Sequence, residues 1–293
     1  MPSPYVRRRQ LAAEIRKLRE SHGLTTDDLA RLVFHSRTKI TRLETAQVRP
    51  DLVDIMNMLD TLEITGSKYD RLLKLAREAA QKGWWDKYGM SMGPRQKLAA
   101  DLEYNADTVR CYDQTAMPGA LQCPEFIDAL VALDESQRTL DYRPSRMAEA
   151  RAQRQRELLR PDGPHHETIL DECVIQRLAV PSQAMAAQLR HMITVISTEE
   201  RITIRVLLHD ARIPGGHLPQ SSFCLYTFPE AGDPPIGVVD TIATDLIVTQ
   251  RGEVARYARM YDRLRAAALT TKDSLDFLNR VANHITDRTG SGL

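Results

Sequence analysis

Residues 36–44, SRTKITRLE, gather Arg37, Lys39 and Arg42 with the short hydroxyl side chains Ser36, Thr38 and Thr41. Guanidinium groups hydrogen-bond guanine in a DNA major groove, and small side chains meet the thymine methyl. Coiled as a helix, the stretch turns Ile40 and Leu43 to one side. Arg37, Thr38, Thr41 and Arg42 are then left facing outward. An apolar back and a basic, hydroxyl-rich front suit a groove-reading helix. A solvated helix face has the same composition, so the flanking sequence has to decide.

Other chemistry is sparse. His165-His166 lacks ligand spacing, and His209, Asp210 and His217 flank Gly215-Gly216 without a convergent third metal ligand. Asp171 and Glu172 are adjacent at an expected strand end, where neighbouring side chains point to opposite faces and do not converge for acid–base work. There is no Gly-rich phosphate loop, G-x-S-x-G elbow or H-E-x-x-H motif. Cys111, Cys123, Cys173 and Cys224 form no C-x-x-C pair and read as buried free thiols in a reducing compartment. The expectation is no enzymatic activity, no metal and no cofactor. The long segment 210–221 is the expected mouth of a ligand or partner site.

A chain of 293 residues has room for about two domains. Residues 1–90 hold 17 Lys and Arg against 12 Asp and Glu, a net +5, so the overall +1 leaves the remainder at −4. A basic head on an acidic body is the asymmetry of a DNA-binding module joined to a non-binding one. No apolar run approaches the ~18 residues of a membrane span. The basic start lacks a signal peptide's apolar core, and the expected location is the cytoplasm.

In the head, Leu11, Ile15 and Leu18 make one helical stripe that Gly23 stops. Thr25 and Asp28 form a shortened capping box for a second helix, and Ser36 can cap the third. Asp51, after Pro50, caps a fourth helix with Leu52, Ile55, Leu59 and Leu62 inside, and a fifth lies around Lys68–Gln81. Five short helices with a tight turn between the second and third describe a helix-turn-helix domain. The stretch LRESHGLTTDDLARLVFHSRTKITRLETAQVRP resembles the XRE, or phage-repressor and Cro-like, helix-turn-helix family. The match runs through Leu18, Arg19, Gly23, Leu24, Thr25, Leu29, Ala30, Ser36, Ile40, Thr41, Arg42, Glu44, Arg49 and Pro50.

The resemblance implies that Arg37, Thr38, Thr41 and Arg42 read bases and that Lys39 and Arg49 contact phosphates. Thr26 and Ser36 join the DNA-binding set, and Arg19 and Glu44 form the ion pair tying the third helix to the first. Three positions depart from the pattern. Phe34 stands at the family's turn Gly, Ala46 at another Gly, and Thr26 where Gln is usual. If the turn needs a positive φ, Phe costs more than Gly, which predicts a reshaped turn with Phe34 packed against the core.

Residues 82–96 carry three Gly and a Pro and read as a junction between a domain at 1–81 and one at 97–293. After it comes a helix, a Pro118-Gly119 turn, and helices from near Pro124 and over roughly Pro144–Leu159. Short β-branched runs at ETILDE, RITIRVLLH, SSFCLYTF and PIGVVDTIA read as a small sheet. The expected fold class is α+β, an all-α head followed by a mainly helical body. Trp84-Trp85, MPGALQ, ILDE, QLRHM and RIPGGH resemble the large C-terminal domain of many actinobacterial XRE-family regulators. The reading is a DNA-binding transcriptional regulator, dimeric on double-stranded DNA, whose body dimerises or receives a signal. The alternative is an antitoxin-like protein that binds a small protein partner and autoregulates. A small-molecule effector is a further expected partner; a membrane is not.

Overall fold

The computed structural model describes residues 2–137, 142–241 and 244–290. It divides into two compact units, Met1–Asp86 and Lys87–Leu293. The first is built from α1 (Pro4–Ser21), α2 (Thr26–Leu32), α3 (Arg37–Glu44), α4 (Leu52–Thr61) and α5 (Gly66–Ala79). Ser3, Thr25, Ser36 and Asp51 each accept a backbone N–H at the start of their helix, meeting donors that the first turn leaves unpaired. Leu11, Ile15, Leu29, Ile40, Leu59 and Leu72 pack in one core. A 3-10 segment, Trp84–Ser91, carries the chain across the division.

The second unit holds α6 (Pro94–Asn105), β1 (Thr108–Asp113), α7 (Pro124–Gln137), α8 (Pro144–Leu158), β2 (His165–Asp171), α9 (Glu172–Gln176) and α10 (Ser182–Thr198). It continues with β3 (Ile202–Leu207), β4 (Phe223–Thr227), β5 (Ile236–Val239), β6 (Leu246–Val248), α11 (Arg251–Ala267) and α12 (Thr271–Gly290). The strands form one sheet in the order β3-β2-β1-β4-β5-β6. β1, β2 and β3 are parallel, and β4, β5 and β6 join antiparallel. Side chains alternate across the sheet. Leu170, Ile204 and Val206 pack with α10 and α12, whereas Tyr112, Ile169, Phe223 and Leu225 pack with α11.

The sheet is larger than the four runs predicted. β1 lies within a stretch read as helical, because only Ala106 and Asp107 separate it from α6. It is nevertheless a central strand, with Val109 and Cys111 on one face and Arg110 and Tyr112 on the other. Nor are the four cysteines all buried free thiols. Cys111 and Cys224 stand opposite each other in the β1–β4 register and are joined by a disulfide. Only Cys123 is a buried thiol, and Cys173 is exposed. A separation of 113 residues carries no spacing signal; the register alone brings the pair together.

Two buried polar devices hold the body. The Gln188 side chain, fully enclosed on α10, accepts from the Cys123 N–H at 2.7 Å and donates to the Leu121 carbonyl at 2.7 Å. It thereby pairs backbone groups of the MPGALQC turn that no regular element satisfies. Arg154 on α8 donates to Glu103 on α6 through Nε (2.6 Å) and Nη2 (2.5 Å). Arg154 therefore packs between helices rather than facing solvent.

Candidate nucleic-acid interface

α3 presents the arrangement that its residue spacing predicts. Ile40 and Leu43 are buried, while Ser36, Arg37, Thr38, Lys39, Thr41 and Arg42 are exposed. Ser36 Oγ caps the helix by accepting the Lys39 N–H at 3.2 Å. Thr26 opens α2 and is half-buried.

The charged groups around α3 differ in what already engages them. Arg42 makes no side-chain hydrogen bond or ion pair among the described residues. Arg37 lies 3.5 Å from Asp27, but both side chains are more than half exposed, and water screens such a pair to little net energy. Lys39 Nζ sits 2.5 Å from Asp54 at the start of α4. His35 Nε2 approaches the other Asp54 oxygen at 2.8 Å. Burial alone would raise the Asp54 carboxyl, but hydrogen bonds from Lys39 and His35 hold it below its usual range. Arg49 Nη2 pairs with Asp86 at 2.9 Å, and Asp86 also accepts the Gly83 N–H. Lys39 and Arg49, read as phosphate contacts, thus each carry an internal ion pair that DNA would have to share or displace.

His35 and Asp54 were missed as members of this site. The one available signal was a titratable side chain just before the α3 cap and an acid just after the α4 cap, but only the fold brings them together.

The orientation of α3 rests on Arg19. Its Nε donates to Glu44 Oε1 at 2.6 Å, its Nη2 to Oε2 at 3.0 Å and its Nη1 to the Leu24 carbonyl at 2.8 Å. The Arg19 pKa is raised, chiefly by the Glu44 hydrogen bond. The pair is almost enclosed, with side-chain exposures of 9% and 7%.

The turn before α3 is not reshaped, and Phe34 does not pack on the core. Phe34 keeps a left-handed backbone, φ 55°, and its side chain is 95% exposed. Ala46 after α3 has the same left-handed backbone, φ 58°, but is buried. At both ends the chain closes with i→i−5 hydrogen bonds, His35 N to Ala30 O and Gln47 N to Arg42 O. This is the helix stop that usually uses Gly. Because the Phe34 ring buries almost nothing, Phe34→Gly removes about 1–2 kcal/mol of left-handed strain. It also loosens the unfolded chain by about 0.4–1 kcal/mol. A net stabilisation of about 0.5–1 kcal/mol is expected in urea unfolding; a loss would show that the ring makes contacts that hold the turn.

Comparison with known families fits both units. A helix-turn-helix domain model matches residues 10–72. A model described as a domain of unknown function, DUF5753, matches residues 96–280. No curated protein and no solved structure matches the chain.

Proposed function

The chain belongs to the DUF5753 family and carries a helix-turn-helix at its amino-terminal end, and from this we propose that it is an XRE-type, sequence-specific transcriptional regulator acting on double-stranded DNA in the cytoplasm. The observation that carries this reading is the outward face of α3. Arg37, Thr38, Thr41 and Arg42 are exposed together over a buried Ile40 and Leu43, on a helix pinned by Arg19 and Glu44. Arg42 is the foremost base reader, since no group among the described residues competes for its guanidinium. Lys39 and Arg49 supply phosphate contacts through the outer faces of their ion pairs.

One short helix touches few bases, so the reading includes a homodimer with heads on half-sites one turn apart. The body is assigned to dimerisation or signal reception. It is assigned no catalytic step: Asp171 caps α9 and Glu172 accepts from both the backbone N–H and Nδ1 of His209. No helix among the described residues is long and apolar enough to cross a membrane.

Genome-wide mapping of bound sites supplies the operator. On it, Arg42→Ala is expected to cost about 1–3 kcal/mol and to relax preference at one base position. Fluorescence anisotropy on matched and substituted duplexes measures both quantities. Unaltered affinity together with unaltered base preference would remove α3 from the role of reader.

A further inference from the structure

The body contains a charged cavity that DNA reading does not use. It has a volume of about 560 Å³, within the range of small-molecule sites. Its floor is the amino-terminal part of β1, β2 and β3, on the sheet face that α11 covers elsewhere. Arg265 from the last turn of α11 and Thr271 from the start of α12 line its side. No residue of segment 210–221, the expected ligand mouth, lines it.

Four guanidinium groups line this cavity, Arg110, Arg201, Arg205 and Arg265, against the carboxylates of Glu167 and Glu200. Glu167 is shared by two of them, Arg205 at 2.7 Å and Arg265 at 2.9 Å. Hydrogen bonds from both hold its carboxyl below the usual range, against the upward push of burial. Among the described residues, Arg201 donates only to uncharged acceptors, the carbonyls of Arg160 (2.6 Å) and Pro164 (3.5 Å). Arg110 lies over the Tyr261 ring, and its nearest carboxylate, Asp262, is 3.6 Å away and largely exposed. No side-chain hydrogen bond of Arg110 occurs among the described residues. The cavity therefore carries a surplus of positive charge and unused guanidinium N–H groups.

Hydroxyl groups add neutral donors. Thr108 and Thr227 are hydrogen-bonded to each other at 2.6 Å, which leaves one hydroxyl proton of the pair for a ligand. Thr203 stands beside Glu167 in the β2–β3 register. An apolar ligand would strand these groups, whereas an anion with several oxygens would satisfy them.

We propose that this cavity is a binding site for a small anion carrying several oxygens, a phosphorylated or polycarboxylate metabolite, with Arg110 as its principal charged contact. The lining groups serve phosphoryl and carboxylate oxygens alike, so the experiment has an arm for each. Isothermal titration of the full-length protein at low salt uses inorganic pyrophosphate in one arm and citrate in the other. Saturable binding of at least one probe is expected. Arg110→Gln should weaken it about tenfold or more, as befits loss of charge-assisted hydrogen bonds. Arg265→Gln, a substitution on the exposed end of α11, should weaken it as well, and circular dichroism confirms that both variants are folded. Arg42→Ala, which alters only the head, should leave it intact. The site is disproved by absence of saturable binding in both arms, by equal affinity in folded Arg110→Gln and Arg265→Gln, or by loss in Arg42→Ala instead.

Discussion

Replacing Glu103 by alanine is expected to destabilise the body by about 3–5 kcal/mol, the usual consequence of leaving one member of a buried ion pair without its partner. Arg154 holds Glu103 through two donors, and their side chains are 15% and 6% exposed. Burial by itself lowers the Arg154 pKa, but Glu103, through its charge and its hydrogen bonds, reverses this and raises it. Removal of Glu103 strands that charge beside the enclosed His166, whose Nδ1 has no hydrogen-bond partner among the described residues and whose pKa burial lowers. The neutral double variant Glu103→Leu, Arg154→Leu should regain a large part of the loss, because most of it is the cost of an orphaned charge rather than the net worth of the pair. The two tryptophans of the chain, Trp84 and Trp85, belong to the first unit. Urea unfolding followed by far-UV circular dichroism should therefore show the loss, while the tryptophan transition stays in place. An equal shift of both transitions would show the units unfolding as one. A loss of under about 1 kcal/mol would mean that water reaches the pair, as at a surface ion pair.

Legibility in the sequence followed how local each signal was. The helices of the head announce themselves through caps and stripes contained within a few residues. Thr25 with Asp28, Ser36 and Asp51 all cap as their positions suggest. The α+β class was legible from β-branched runs such as RITIRVLLH, which is β3. β1 was not, since a helix precedes it almost without a break and its alternation spans only six residues. The disulfide and the Gln188 bridge depend on contacts separated by 113 and more than 60 residues respectively, which no local pattern encodes. Around α3, the exposed basic face was legible from periodicity. The hold of Asp54 on His35 and Lys39 was not, because the chain reaches it only after turning through Pro50. Phe34 shows a different limit. Residue type argued for a reshaped turn, yet the i→i−5 hydrogen bond to Ala30 and the packing of α2 and α3 kept the left-handed backbone despite its strain.

Glu44→Ala is the corresponding expectation for the head. Its loss should be about 3 kcal/mol, at the low end for a buried pair, because Arg19 retains the Leu24 carbonyl. Here the tryptophan transition should move. Glu44→Gln should fall between alanine and the native protein, since an amide oxygen still accepts one hydrogen bond but carries no charge. The pair also joins α1 to the last residue of α3, so stability and DNA recognition separate in an informative way. Under conditions where the variant remains folded, an Arg19 freed from Glu44 no longer fixes the angle at which Arg37 and Arg42 leave the surface. Affinity for the operator should then fall while the salt slope, which counts phosphate contacts, stays close to native. If folded Glu44→Ala instead kept native affinity, base preference and salt slope, α3 would be anchored by the hydrophobic seat of Ile40 and Leu43, and the ion pair would serve stability alone.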